Sequence, residues 1–309
     1  MDTIKIGTRH SNLAMWQANY VAGILQDNGL KVEVLPFETK GDKIIDVSIS
    51  KIGSKGVFTE ELEKELLTAG IDIAIHSAKD LQSNLGDDLE IIAYSEREMA
   101  NDVLIGKGAK IEDISEIKIG TSSTRRVALL KRFHPGVQVV DIRGNIQTRI
   151  SKMEAGICDA LMLAYAGVHR MGLDDKIIRV MPKNEFVPAV GQGSIAIEAS
   201  KNLDPLKRQA IRSLLNHDDT ACCITAERAF LKKLEGGCSI PIFANAILNE
   251  EQIELVAGIV SLDGSQILME YGRMHRGEHQ ELGLQLADKV LSKGGGEILM
   301  NIKEKLSGR

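Results

Sequence analysis

Short apolar runs alternate with amphipathic stretches along the first two hundred positions. Runs over 4–7, 31–37, 71–75, 117–120, 137–142 and 158–163 read as strands. Between them, spacings of three and four predict helices. Ser11 is placed to cap one that carries Leu13, Trp16, Tyr20 and Ile24, and Gly29 stops it. A second helix spans 59–68, with Glu60 and Glu61 in its first turn, where the helix dipole favours acids. A third covers 127–133 and ends before Pro135-Gly136, and a fourth carries Arg149. Strands alternating with helices through short loops predict mainly parallel sheets, whose ligands sit beyond the strand C-termini.

The pattern repeats itself. Ile-Lys-Ile-Gly-Thr occurs at 4–8 and again at 117–121, followed by arginine and an amphipathic helix. Ala69-Gly70-Ile71-Asp72-Ile73-Ala74-Ile75 is echoed by Ala155-Gly156-Ile157-Cys158-Asp159-Ala160-Leu161. Two such echoes in the same order predict two related α/β lobes facing a shared cleft. The Gly-rich segment 187–200 reads as a return towards the first lobe, and the Lys/Ser/Gly-rich stretch 41–56 as a mobile lid or an ordinary solvent loop. From about 218 the character changes: strands at 242–248, 252–260 and 266–273 are joined by Asn/Glu and Asp-Gly turns, and two helices are separated by Gly294-Gly295-Gly296. This is a small α+β third domain. The boundaries read as 1–96 with 194–215, then 97–193, then 216–309.

Composition narrows the class. With 309 residues, 43% hydrophobic and 26% charged, the chain has the make-up of a globular protein. A formal charge of −5 argues against a wholly basic nucleic-acid surface. No apolar stretch approaches the ~20 residues that span a bilayer, so no membrane is expected. A strand almost directly after Met1 leaves no room for a signal peptide, and four cysteines do not make a secreted disulfide framework. The expected compartment is the cytoplasm.

Candidate chemistry then collects at the strand ends. Arg9, Arg125, Arg126, Arg143, Arg149 and Arg170 all fall there, interleaved with serine and threonine. Guanidinium forks hold carboxylates or phosphates in bidentate pairs, and six cations together suit a polyanionic ligand, although any one of them also reads as a structural ion pair. Gly53-Ser54-Lys55-Gly56 lacks the spacing of a phosphate loop, which points to a carboxylated anion. Asp80, beside Lys79, is the one carboxylate ending a strand in this basic neighbourhood. It reads either as a helix N-cap or as an acid, a base or a stabiliser of positive charge. Cys238 lies between a double glycine and Ser239-Ile240-Pro241, as an inert buried thiol or as a point of covalent attachment. The adjacent Cys222 and Cys223 with His217 do not form the paired knuckles of a structural zinc site, so no metal is expected.

Six motifs in order resemble those of the porphobilinogen deaminases, also called hydroxymethylbilane synthases. They are Gly7-Thr8-Arg9-His10-Ser11, His76-Ser77-Ala78-Lys79-Asp80, Gly120-Thr121-Ser122-Ser123-Thr124-Arg125-Arg126, Arg143-Gly144-Asn145-Ile146-Gln147-Thr148-Arg149, Pro188-Ala189-Val190-Gly191-Gln192-Gly193 and Glu235-Gly236-Gly237-Cys238-Ser239-Ile240-Pro241. The resemblance implies two lobes similar to periplasmic binding proteins plus a small C-terminal domain. It implies a cytoplasmic monomer that joins four porphobilinogen molecules head to tail, releasing ammonia at each step, into a linear tetrapyrrole for porphyrin and haem biosynthesis. Its cofactor is a dipyrromethane held by a thioether, and by motif the cysteine is Cys238 and the catalytic aspartate Asp80. The same correspondence gives Arg9, Ser11, Arg143, Arg149 and Arg170 to substrate carboxylates, and Lys79, Ser123, Arg125, Arg126 and Gly144 to the cofactor. Leu81-Gln82 departs from the pattern, which has a proline two residues after the aspartate; Met99-Ala100-Asn101 stands for Asp-Pro-Arg, and Phe243 for a frequent glycine. The rival reading is a non-catalytic binding or sensor protein for a polycarboxylate.

Overall fold

The computed structural model describes residues 2–39, 59–237 and 239–307. These divide into two compact units: 2–39, 59–98 and 193–221 in the first, and 99–192, 222–237 and 239–307 in the second. The proposed lid at 41–56 and Cys238 lie outside the described residues.

In the first unit the strands are β1 (Ile4–Arg9), β2 (Val32–Phe37), β3 (Ile73–Ser77), β4 (Leu89–Tyr94) and β10 (Ile195–Ser200), in the order β2-β1-β3-β10-β4. In the second unit β5 (Asp102–Gly106), β6 (Lys118–Gly120), β7 (Gln138–Val140), β8 (Ala160–Ala164) and β9 (Ile177–Val180) take the order β7-β6-β8-β5-β9. The two sheets have one plan. Three parallel strands are followed by an antiparallel one, β10 against β3 in the first and β5 against β8 in the second. The mainly parallel sheets expected from the sequence are therefore mixed. β5 and β10 carry no clean period, because every one of their residues is buried and nothing alternates.

The sequence echoes recur atom for atom. Asp72 accepts a hydrogen bond from the Lys5 amide at 2.8 Å and returns its own amide to the Lys5 carbonyl; Asp159 does the same for Lys118 at 2.7 Å. The shared glycine is forced in both copies. A Cβ on Gly7 would meet Ile71 Cδ1 at 2.3 Å, and one on Gly120 would lie within 2.9 Å of Ile142, Cys158 and Leu161.

Helices cover each sheet. In the first unit α1 (Asn12–Asp27), α2 (Glu60–Leu67) and α6 (Pro205–Leu215) pack on it; in the second, α3 (Thr124–Phe133), α4 (Ile146–Glu154) and α5 (Tyr165–Arg170) follow β6, β7 and β8. Ser11 caps α1 as expected, its Oγ accepting from the Ala14 amide at 3.3 Å. The buried face of α1 corrects the reading above. Ala14, Ala18, Val21, Ala22 and Leu25 face the core, while Trp16 and Tyr20 stack on each other outside it at a centroid distance of 5.5 Å. Small residues let the helix approach the sheet closely, and the bulky stripe is left on the outer side.

The remainder of the second unit comprises α7 (Asp218–Lys233) from Cys222 onward, the antiparallel strands β11 (Ile242–Asn249), β12 (Gln252–Val260) and β13 (Ile267–His275), and helices α8 (His279–Val290) and α9 (Gly296–Ser307). It has its own core around Phe230, Leu255 and Leu286. Phe243 and Val260 also join the core of Leu104, Ile119 and Phe186 beneath β5 and β6, so the departure at Phe243 fills a packed interior position. The β12–β13 turn rests on α3. Gly264, at φ +75°, lies so close that a Cβ would come within 2.7 Å of the Ala128 carbonyl and 2.8 Å of the Arg132 amide. Gly264→Ala is expected to cost about 1–3 kcal/mol, read as a lowered urea midpoint, because it adds left-handed strain to a backbone clash.

Candidate functional site

At the C-terminal edge of the first sheet, β1 ends in Arg9 and β3 in Ser77. Ser77 runs directly into a 3₁₀ turn, Ala78–Asp80. Several side chains and amides fix this turn. Gln17, buried on α1, exchanges hydrogen bonds with Ser77 Oγ, its Nε2 donating at 3.0 Å. The Ala78 amide donates to the Ser194 carbonyl at 3.0 Å. Gln82, at the position where the family pattern has proline, donates from Nε2 to Thr59 Oγ1 and Glu63 Oε1, each at 3.3 Å, which ties the loop to the start of α2. A proline would restrict the same loop through its ring, whereas Gln82 does so through its amide.

Asp80 itself is half-buried, and its carboxylate has no hydrogen bond or ion pair among the described residues. It closes the 3₁₀ turn and caps no helix, so of the two readings above the capping role falls away. Beneath it in β3, His76 pairs with Glu198 of β10 at 3.0 Å, both buried. Arg9, Ser11 and Lys79 sit around the same edge and are partly buried.

The second sheet presents a corresponding edge. β6, β7 and β8 are parallel, so the loops after Gly120, Val140 and Ala164 leave on one side. Ser123 caps α3, accepting from the Arg126 amide at 3.5 Å, and Asn145 caps α4, accepting from the Thr148 amide at 2.9 Å. Gly144 has φ +110° and no room for a Cβ, which Thr148 Cγ2 would meet at 2.7 Å; its carbonyl accepts from Arg149 Nε at 2.7 Å. Arg143 Nε donates to Asp141 at 3.0 Å on the exposed side. Arg170, which closes α5, is buried.

The strongest feature of this edge was not anticipated from the sequence. Asp102 opens β5, and because β5 runs antiparallel to β8 its first residue lies opposite Ala164, at the same edge as the arginines. Asp102 is fully buried and accepts four hydrogen bonds: Arg125 Nη2 at 2.8 Å to Oδ2, then Arg126 Nε at 3.1 Å, Arg126 Nη2 at 2.8 Å and Gln192 Nε2 at 2.9 Å, all to Oδ1. Arg125 and Arg126 are 4% and 6% exposed and also donate to the carbonyls of Val187 and Met162, each at 2.9 Å. The two forks expected to be open to ligand are thus held from below. Burial pushes the Asp102 carboxyl up, but the Arg125 and Arg126 charges and the bonds from Arg126 and Gln192 outweigh it, leaving Asp102 well below the usual carboxylate range.

Two mixed sheets with arginine-bearing loops at their strand ends define an α/β protein, and among the described residues the Asp80 carboxylate at one of those ends makes no hydrogen bond or ion pair. Among the described residues, no helix is long and apolar enough to cross a membrane and no cluster of metal-ligating side chains is present. The family model described as porphobilinogen deaminase, dipyromethane cofactor binding domain matches residues 4–208, and that of the porphobilinogen deaminase C-terminal domain matches 221–292. The chain belongs to the porphobilinogen deaminase family. Porphobilinogen deaminase of Cytophaga hutchinsonii is 51% identical, with 99% of this chain and 98% of that protein covered. The Desulfosudis oleivorans protein of the same name is 50% identical, covering 97% and 98%. Among solved structures, the Bordetella pertussis BvgS periplasmic VFT2 domain aligns with 74% of this chain and 92% of its own at 13% identity and a TM-score of 0.42, too distant to bear on function.

The ionised state of Asp102 sets a pH dependence. Its folded pKa lies below the unfolded value of ~3.9, so its contribution is complete above that pH and is lost as the pH falls below it. Asp102→Asn is expected to lower the unfolding free energy by about 3–5 kcal/mol at pH 7, because two buried guanidiniums lose their counter-charge. Urea titrations of both proteins should show that gap narrowing steadily below about pH 4.

Proposed function

We propose that this protein condenses four porphobilinogen molecules head to tail, with release of ammonia, into the linear tetrapyrrole hydroxymethylbilane. The observation that carries the reading is the half-buried Asp80 carboxylate, on a turn fixed by Gln17, Ser194 and Gln82 yet without a hydrogen bond or ion pair of its own among the described residues. A carboxylate so held has no structural work and is available to a ligand. Membership of the family gives this availability its chemistry, and a non-catalytic binding protein leaves it without a purpose.

The residues fit a dipyrromethane, whose two pyrroles carry four carboxylates. Each arginine fork has five N–H donors. Arg125 uses two and Arg126 three on protein acceptors among the described residues, leaving donors for a ligand oxygen. We assign Lys79, Ser123, Arg125, Arg126 and Gly144 to the cofactor, Arg9, Ser11, Arg143, Arg149 and Arg170 to substrate acetate and propionate groups, and Cys238 to the thioether. When bound, the cofactor supplies the pyrrole carbon to which the first substrate joins.

Asp80 acts on the substrate. As the aminomethyl C–N bond breaks and ammonia leaves, positive charge develops on the ring, and an adjacent carboxylate stabilises it and receives the pyrrole N–H as a hydrogen bond. The arginines fix the ring by its carboxylates, which turns an encounter into an oriented approach. The remaining assignments belong to the same reading: a monomer, in the cytoplasm, whose third domain begins near 216. Three buried free thiols, Cys158, Cys222 and Cys223, suit a reducing compartment.

Intact mass spectrometry of the denatured protein tests the cofactor, which is expected as an increment of two linked pyrrole units absent from Cys238→Ser. Asp80→Ala is expected to keep that increment and lose about 10²–10⁴-fold in kcat, the usual worth of a positioned acid–base group, while Asp80→Glu retains slow turnover. Activity near the native level in Asp80→Ala ends the assignment.

A further inference from the structure

We propose that Asp102 is a positioning residue for ligand carboxylates: it orients the Arg125 and Arg126 forks and neutralises one of their two charges, so that the pair takes a single carboxylate. This deepens the reading above and rests on its assignment of Arg125 and Arg126 to the cofactor.

The geometry supplies the argument. Two guanidiniums from consecutive residues at the start of α3 are each about 95% buried, and alone they would repel. Asp102 takes one from each oxygen: Arg125 holds Oδ2, while Arg126 holds Oδ1 through both Nε and Nη2. The carboxylate is not free to rotate, since Gln192 Nε2 donates to Oδ1 and also to the Ala100 carbonyl at 2.6 Å. Nor is the strand that carries it free to shift, being paired with Ala164 of β8 on one side and followed by Val103 paired with Val180 of β9 on the other. The carbonyls of Val187 and Met162 fix the outer arm of each fork. The cluster holds two positive charges and one negative, hence a net charge of +1. The N–H groups it leaves unassigned are three on Arg125 and two on Arg126, a surplus of donors that a carboxylate oxygen pair satisfies and water satisfies less well in so buried a position. One net charge matches one carboxylate. Two arginines without Asp102 would bind anions harder and with less direction.

The test compares the holoenzyme with Asp102→Glu, Asp102→Asn and Arg125→Gln, each checked for folding by circular dichroism. Cofactor content comes from intact mass, and KM, kcat and the salt dependence of KM are counted per cofactor-bearing molecule. Asp102→Glu keeps the charge, so the fold is retained, but moves the forks by a methylene. It is expected to raise KM about tenfold, the worth of one charge-assisted hydrogen bond, with kcat within about twofold. Asp102→Asn, where it folds, is expected to lower cofactor content and to steepen the salt dependence of KM, because the cluster then carries +2. Folded Asp102→Glu with native KM overturns the proposal, whatever its urea midpoint, and assigns Asp102 to stability alone. Native KM and native cofactor content in Arg125→Gln overturn instead the underlying assignment of the arginines.

Discussion

A carboxylate buried between two guanidiniums ties three parts of the second unit together at one point. Asp102 takes four hydrogen bonds at full burial, and the elements that supply them are α3 and the segment ending in Gln192. Neither partner tolerates the loss of the other: a lone buried Asp102 would be driven to protonate, and two lone guanidiniums would repel. β5, α3 and the segment before residue 193 are therefore held at one point of the sheet edge. Loops built on that edge inherit its rigidity, which is what the proposed site for several carboxylates requires.

The same sheet plan is assembled twice, but the chain supplies its fourth strand differently. In the first unit β10 arrives from 195–200, after the whole second sheet; in the second unit β5 comes at 102–106, before its parallel neighbours. Each antiparallel strand begins at the edge where the parallel strands end. That rule places Ser194 against the Asp80 turn in one unit and Asp102 against the arginines in the other. A single topological feature thus supports both halves of the proposed chemistry.

It also explains what could and could not be read from the sequence. The paired Ile-Lys-Ile-Gly-Thr and Ala-Gly-Ile phrases announced the duplication, and Lys5–Asp72 and Lys118–Asp159 show why both phrases persist. Ser11, Ser123 and Asn145 follow from capping rules, and Asp80 from its place after a strand. Asp102 was missed because β5 is wholly buried and lacks a period, so its direction, and hence the position of its first residue, was invisible. Without that strand the arginines at 125 and 126 looked like open ligand groups. The inward face of α1 was not specified by its bulky apolar spacing, because close helix–sheet approach selects alanine beside Val21 and Leu25.

Asp80 and Asp102 show how environment divides two identical side chains between two tasks. Both stand at sheet edges among cations. Asp102 accepts four hydrogen bonds at no exposure, so it can neither move nor receive a proton from a substrate without dismantling its surroundings. Asp80 is placed by bonds made through its neighbours, and among the described residues its own oxygens are uncommitted. Fixing a group through its backbone leaves its chemistry available, and fixing it through its own functional atoms removes that chemistry. On the proposed reading the enzyme uses both kinds: the second to hold arginines apart at a set distance, and the first to meet a charge that exists only while the bond to ammonia is breaking.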